Sequence, residues 1–173
     1  VELLLPAEPF AAADGNYQLT VKTPFGTVSL PASMFAGTDM SPMAQITLRI
    51  TKPDVTGLPQ DVRNAIGSRP IIGLEIVQGG KEYPFSNLNA PVTVTLPYQP
   101  IGEESANPEF ITVWYIDGEG QAIPVPSARY DASSGTVTFM TTHFSTFAVT
   151  YVKKSFNDLG SVPWAVHMIE VLG

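Results

Sequence analysis

The chain has no cysteine, which removes thiol nucleophiles, thiolate metal sites and disulfide frameworks together. At 173 residues it needs none of them to fold, since a chain of this length buries roughly 70% of its unfolded surface. Basic residues are scarce: 9 Lys plus Arg stand against 16 Asp plus Glu, a net charge of −7. With no basic face to neutralise phosphates, nucleic acid is not an expected partner. No apolar run approaches the ~20 residues of a membrane-spanning helix, so no membrane partner is expected either. The two histidines, His143 and His167, leave little room for a serine triad. There is no G-x-S-x-G elbow, no phosphate loop and no zinc spacing, so neither cofactor nor metal is expected.

What the chain does have is punctuation. Sixteen Pro and 14 Gly separate short runs rich in Val, Ile, Thr and aromatics, the pattern of an all-β domain. Strands are expected near Tyr17–Lys22, Thr27–Leu30, Gln45–Thr51, Ile71–Val77, Val92–Leu96, Phe110–Ile116, Thr136–Thr141 and Ser145–Val152. In three of them apolar and polar residues alternate. Val92, Val94 and Leu96 interleave with Thr93 and Thr95; Ile46, Leu48 and Ile50 with Thr47, Arg49 and Thr51; Phe147, Val149 and Tyr151 with Thr146, Ala148 and Thr150. One wet face per strand favours an antiparallel β-sandwich over a parallel sheet. A short helix is expected at Leu58–Ile66, with Pro59 at its first position and Gly67 as its stop. Tight turns are expected at Asp117–Gly120 and Asp131–Gly135. The opening "VELLLPAEPFAAA" has the short apolar run and small residues of a secretion signal's end. It lacks a basic segment and contains Pro and Glu, and reads as the start of an excised fragment.

The organisation expected is a β-sandwich module over residues 1–152 and a different element over 153–173. The tail carries Trp164, Met168 and Val171 at helical spacing, with Ala165, Ile169 and Leu172 on the neighbouring row. This is one C-terminal amphipathic helix, too short to be stable alone in water. Phe156, Asp158, Trp164, Ala165, Ile169 and Leu172 resemble the beginning of an S-layer homology repeat, the module that holds bacterial surface proteins on the cell wall. The match covers about 18 residues and stops before the wall-polysaccharide motif. The resemblance therefore implies a location, secreted and at the bacterial cell surface, and no binding site. The partners it implies are neighbouring domains of the same protein, and wall polysaccharide through complete repeats.

The body resembles the β-sandwich of netrin receptors and ankyrins, related to the GPCR autoproteolysis-inducing domain. The residues that carry this are "GTVSLPASMF" at 26–35, "LEIVQGGKEYPFSNLNAPVTVTLPY" at 74–98 and "TTHFSTFAV" at 141–149. The resemblance implies a candidate self-cleavage site at His143, Phe144 and Ser145. Ser145 Oγ would attack the Phe144 carbonyl carbon in an N-to-O acyl shift, His143 would take the hydroxyl proton, and water would hydrolyse the ester. In that family the motif is flanked by cysteines; here the equivalent upstream positions hold Phe139 and Thr141. In a regular strand His143 and Ser145 lie roughly 6.5–7 Å apart at Cα, so the chemistry needs a kink.

Three readings stand beside one another. In the first, the corner is structural and the chain is a spacer or adaptor module of a surface protein. In the second, the same fold cuts itself. In the third, it is a carbohydrate-binding module that uses Tyr83, Tyr98, Trp114, Tyr115 and Tyr130 as stacking faces. Trp114 and Tyr115 are consecutive in one strand and must face opposite sides, so at least one belongs to the core.

Overall fold

Alternation along the strands fixes which side chains meet between two layers. The computed structural model describes residues 1–11, 17–41, 43–153 and, further on, Trp164, Val166 and Met168. Apart from those three residues, the expected C-terminal amphipathic helix and the S-layer-like pattern lie outside the described residues. The strands are β1 (Glu2–Pro6), β2 (Gln18–Thr23), β3 (Gly26–Pro31), β4 (Gln45–Thr51), β5 (Ile71–Gln78) and β6 (Lys81–Tyr83). They continue with β7 (Val92–Pro97), β8 (Ile111–Ile116), β9 (Ala122–Pro124), β10 (Arg129–Asp131), β11 (Thr136–Thr141) and β12 (Thr146–Tyr151). One sheet runs β1-β4-β5-β12-β8-β9, with β6 also on β5; the second runs β10-β11-β7-β3-β2. Each of these pairs is antiparallel, so the all-β antiparallel sandwich expected from the sequence is the fold observed. No helix among the described residues is long and apolar enough to cross a membrane.

Val28, Leu30, Val92, Val94, Leu96, Val137 and Phe139 of the second sheet are buried against Ile46, Leu48, Ile50, Ile72, Leu74, Phe147 and Val149 of the first. Each such side chain contributes roughly 1.5–3 kcal/mol by leaving water. Phe139 and Phe147 meet across the layers with ring centroids 5.0 Å apart. The opening stretch belongs to the same core. β1 pairs with β4, the Val1 amine donates to the Ile50 carbonyl at 2.6 Å, and Phe10 packs edge-on against Phe35.

The strand β12 departs from expectation. Ala148 and Thr150, read as a wet face, are fully buried. The cause for Ala148 is the helix α1 (Gln60–Ile66), which docks on the outer face of the first sheet. Its Val62 and Ile66 form a second core cluster with Ile71, Ile116 and Ala148. The helix stops at Gly67, whose φ of 55° suits a residue without Cβ. Pro59 lies one place before the first helical residue. A second, four-residue helix, α2 (Glu103–Ala106), sits after β7. Its Glu104 pairs with Arg69 and accepts from the Tyr98 hydroxyl.

Candidate functional site

The residues between β11 and β12, which the sequence singled out, carry the chain from the second sheet to the first. Residues 84–91 make the opposite crossing, from β6 to β7. The two crossings lie side by side, joined by an antiparallel bridge between Ser86 and His143. Asn87 N–H donates to the Thr142 carbonyl at 2.8 Å, and Phe144 N–H to the Phe85 carbonyl at 3.4 Å. A third crossing, residues 32–44 between β3 and β4, is tied in by the buried Asn87 side chain. Its amide donates to the Met34 and Ala36 carbonyls at 3.0 and 3.1 Å.

Within this corner each candidate residue has its own environment. The Thr141 hydroxyl donates to the His143 carbonyl at 2.7 Å and accepts from the His143 N–H at 3.3 Å, the local bonding that makes threonine useful at bends. The His143 ring lies edge-on to Tyr115, 4.7 Å between centroids, and 5.9 Å from Phe147. Its Nε2 is buried and has no hydrogen-bond partner among the described residues. Burial holds this imidazole below its usual value of 6.5, so it is neutral at pH 7. Phe144 packs on Phe85 at 4.8 Å. Ser145 Oγ donates to the Ile116 carbonyl at 2.7 Å, and its own carbonyl accepts from Leu74 N–H at 2.9 Å.

The chain thus brings His143, Phe144 and Ser145 together as neighbours and supplies a neutral imidazole. The serine proton, however, is given to Ile116 and not to the imidazole. Attack on the Phe144 carbonyl would first require Ser145 to leave Ile116 and turn towards His143. Ser145 sits where β12 takes over from β6 along one edge of β5. β12 pairs with Ile71–Gly73 and β6 with Ile76–Gln78.

The five aromatic candidates do not form one platform. Tyr115 faces the core beside His143. Tyr98 and Tyr130 stack edge-on at 6.3 Å and pack on the main core cluster, and Tyr83 packs against Phe35 while donating to Asp39. Trp114 alone lies on the outer face of the first sheet, where it packs on the second core cluster. It lines a shallow cavity with Asp61 and Gln121, two residues sequence reasoning did not connect to it. The expected helix at 58–66 and the expected turn at 117–120 were the available signals. Their meeting over Trp114 is a tertiary event that local patterns do not encode. Among the described residues no group of three or more His, Cys, Asp or Glu is placed to hold a metal ion.

No protein-family model matches this chain. An 85-residue stretch is 38% identical to part of an amylopullulanase from Thermoanaerobacterium thermosulfurigenes, covering 49% of this chain and 4% of that protein. The chain thus corresponds to a small part of its relative's length.

Proposed function

We propose that this chain is a non-catalytic spacer or adaptor module of a secreted, carbohydrate-associated protein of the bacterial surface. The observation that carries the reading is the similarity to a small fraction of an amylopullulanase, whose name denotes a polysaccharide-degrading enzyme. A shared segment amounting to 4% of such a protein is far better suited to an accessory module than to the enzyme's whole catalytic apparatus. The fold supports the same reading: two sheets share one core, and their crossings are stapled to one another by hydrogen bonds. Such a module holds its neighbours apart through sheet pairing and packing. Its partners in this reading are the adjoining domains of the same protein. Wall polysaccharide would be reached through the S-layer homology repeats that residues 153–173 resemble.

The test is an intact mass under denaturing conditions, fresh and after long incubation at neutral pH, with Ser145→Ala alongside. The same samples are incubated with pullulan and amylopectin and assayed for new reducing ends. One full-length mass and no new reducing ends are expected. Two fragments meeting at Phe144/Ser145, absent in the variant, would replace the spacer with a self-cleaving domain. New reducing ends would replace it with an enzyme.

A further inference from the structure

The cavity beside Trp114 has a built shape and a mixed chemistry. Its volume is about 390 Å3, toward the low end of the ~300–1,000 Å3 of small-molecule sites. One wall is the start of α1, with Pro59, Asp61 and Val62; the other is the β8–β9 turn, with Gly120 and Gln121. Trp114 lies between them on the outer face, directly opposite Ala148 on β12. The turn is held by Asp117, whose Oδ1 accepts from the Glu119 and Gln121 N–H groups at 2.9 and 2.8 Å. Gly120 has φ +78° and lies against the ring of Pro59; a Cβ there would come within 3.3 Å of it. Both walls are therefore fixed before any ligand arrives.

The polar groups are available. Among the described residues the Asp61 carboxylate has no side-chain partner. Gln121 uses its Nε2 to donate to Glu119 Oε2 at 3.2 Å, which leaves its carbonyl oxygen unpaired among those residues. Trp114 and Ala122 supply apolar surface. The carboxylates of Asp61 and Glu119, on a chain of net charge −7, disfavour any anion. A ligand that is not anionic, offers a flat apolar face to the indole and presents hydroxyls that donate to a carboxylate and an amide oxygen fits this lining, and the carbohydrate-associated reading above selects a neutral one. Those are the properties of a pyranose ring.

We propose that Trp114, Asp61 and Gln121 form a subsite for a neutral pyranoside, the sugar face lying on Trp114 and its hydroxyls donating to Asp61 and Gln121. The proposal rests on the carbohydrate-associated reading above and gives that module a direct contact with a glycan. The same ring chemistry occurs in storage glucans and in wall glycans, and two probes separate these sources.

The experiment uses the full 173-residue chain carrying Trp164→Phe. Trp164 is exposed, so Trp114 then becomes the sole tryptophan reporter. Maltoheptaose and chitohexaose are titrated while emission is followed. A saturable change with one of them is expected, and the responding probe names the source. Gln121→Ala removes a surface side chain and is expected to weaken binding about three- to tenfold, and Asp61→Asn likewise, without moving the melting temperature. Trp114→Ala, followed by calorimetry, is expected to abolish binding; its loss of packing makes the Gln121 variant the decisive one. No response to either sugar, or equal binding by Gln121→Ala, overturns the subsite. Neither result touches the spacer reading, which fails only by fragmentation or by new reducing ends.

Discussion

Asn87 and Met34 lie 53 residues apart, and the side-chain amide of the first donates to the carbonyl of the second at 3.0 Å. Through this bond, and its companion to Ala36, the side chain joins two of the passages between the sheets, while the backbone N–H of the same residue reaches the third at Thr142. Asn87→Ala leaves buried carbonyls without their donor. An unsatisfied buried group costs ~1–3 kcal/mol, so a loss of about 2–3 kcal/mol is expected in urea-induced unfolding, with an unchanged m-value. A change below a few tenths of a kcal/mol would show that the amide does not hold the crossings together.

Gly73 answers a different constraint. A Cβ there would come within 2.6 Å of Thr51 Oγ1 and 2.9 Å of Pro53 Cγ, because the chain leaving β4 passes over it. Overpacking of this kind costs ~1–3 kcal/mol. Gly73→Ala is expected to lower the melting temperature, whereas an alanine at Gly118, which meets nothing within 4 Å, is expected to leave packing undisturbed.

His143 makes stability depend on acid. Its folded-state pKa is depressed below 6.5 by burial, so the unfolded chain takes up its proton at a higher pH than the folded one. The contribution is complete above the unfolded value near 6.5 and is lost as pH falls through the folded value. Unfolding free energy measured from pH 7.5 to 5 is expected to decline, and His143→Gln to flatten that decline. An equal slope in the variant would mean that the imidazole is not the group responsible.

The strands that alternate were legible. All eight expected strands are present: in three of them period-two patterning directly reports a half-buried sheet, and in the rest short β-branched and aromatic runs between Pro and Gly turns mark the strands. The four missed strands gave no such signal. β1, "ELLLP", is a plain apolar run bounded by proline, and β6, β9 and β10 have three residues each. The buried outer face of β12 was misread because the helix that covers it lies some eighty residues earlier in the chain. The opposition of Trp114 and Tyr115 followed from alternation alone. At the candidate corner, the residues could be read but their hydrogen bonds could not. The acceptor of Ser145 is Ile116, 29 positions away, and only the folded sheet brings it there.

At the other end of the pH scale stands Tyr98. Burial first, and then its bond to Glu104, push its phenol up to about 12. Since the folded-state value is raised, its contribution to stability is complete below the unfolded value near 10 and is lost as pH rises through about 12. In a spectrophotometric titration of the folded protein, Tyr98→Phe is expected to remove the latest-ionising component. Loss of an early component in its place would refute the assignment. Arg69→Ala, which strips Glu104 of its counter-ion, is expected to destabilise the fold by about 3 kcal/mol, following other broken buried pairs.

The place of β12 governs how the domain is made. The strand comes last in the sandwich, yet it lies inside its sheet, between β5 and β8, and brings Phe147 and Val149 to the centre of the core. A chain emerging N-terminus first from the ribosome or a secretion channel therefore holds a sheet with its middle missing until residue 151 is free. Until then β5 and β8 have no common neighbour. Closure therefore waits on the last strand, and a chain ending before Thr146 would expose the unpaired edges that drive aggregation.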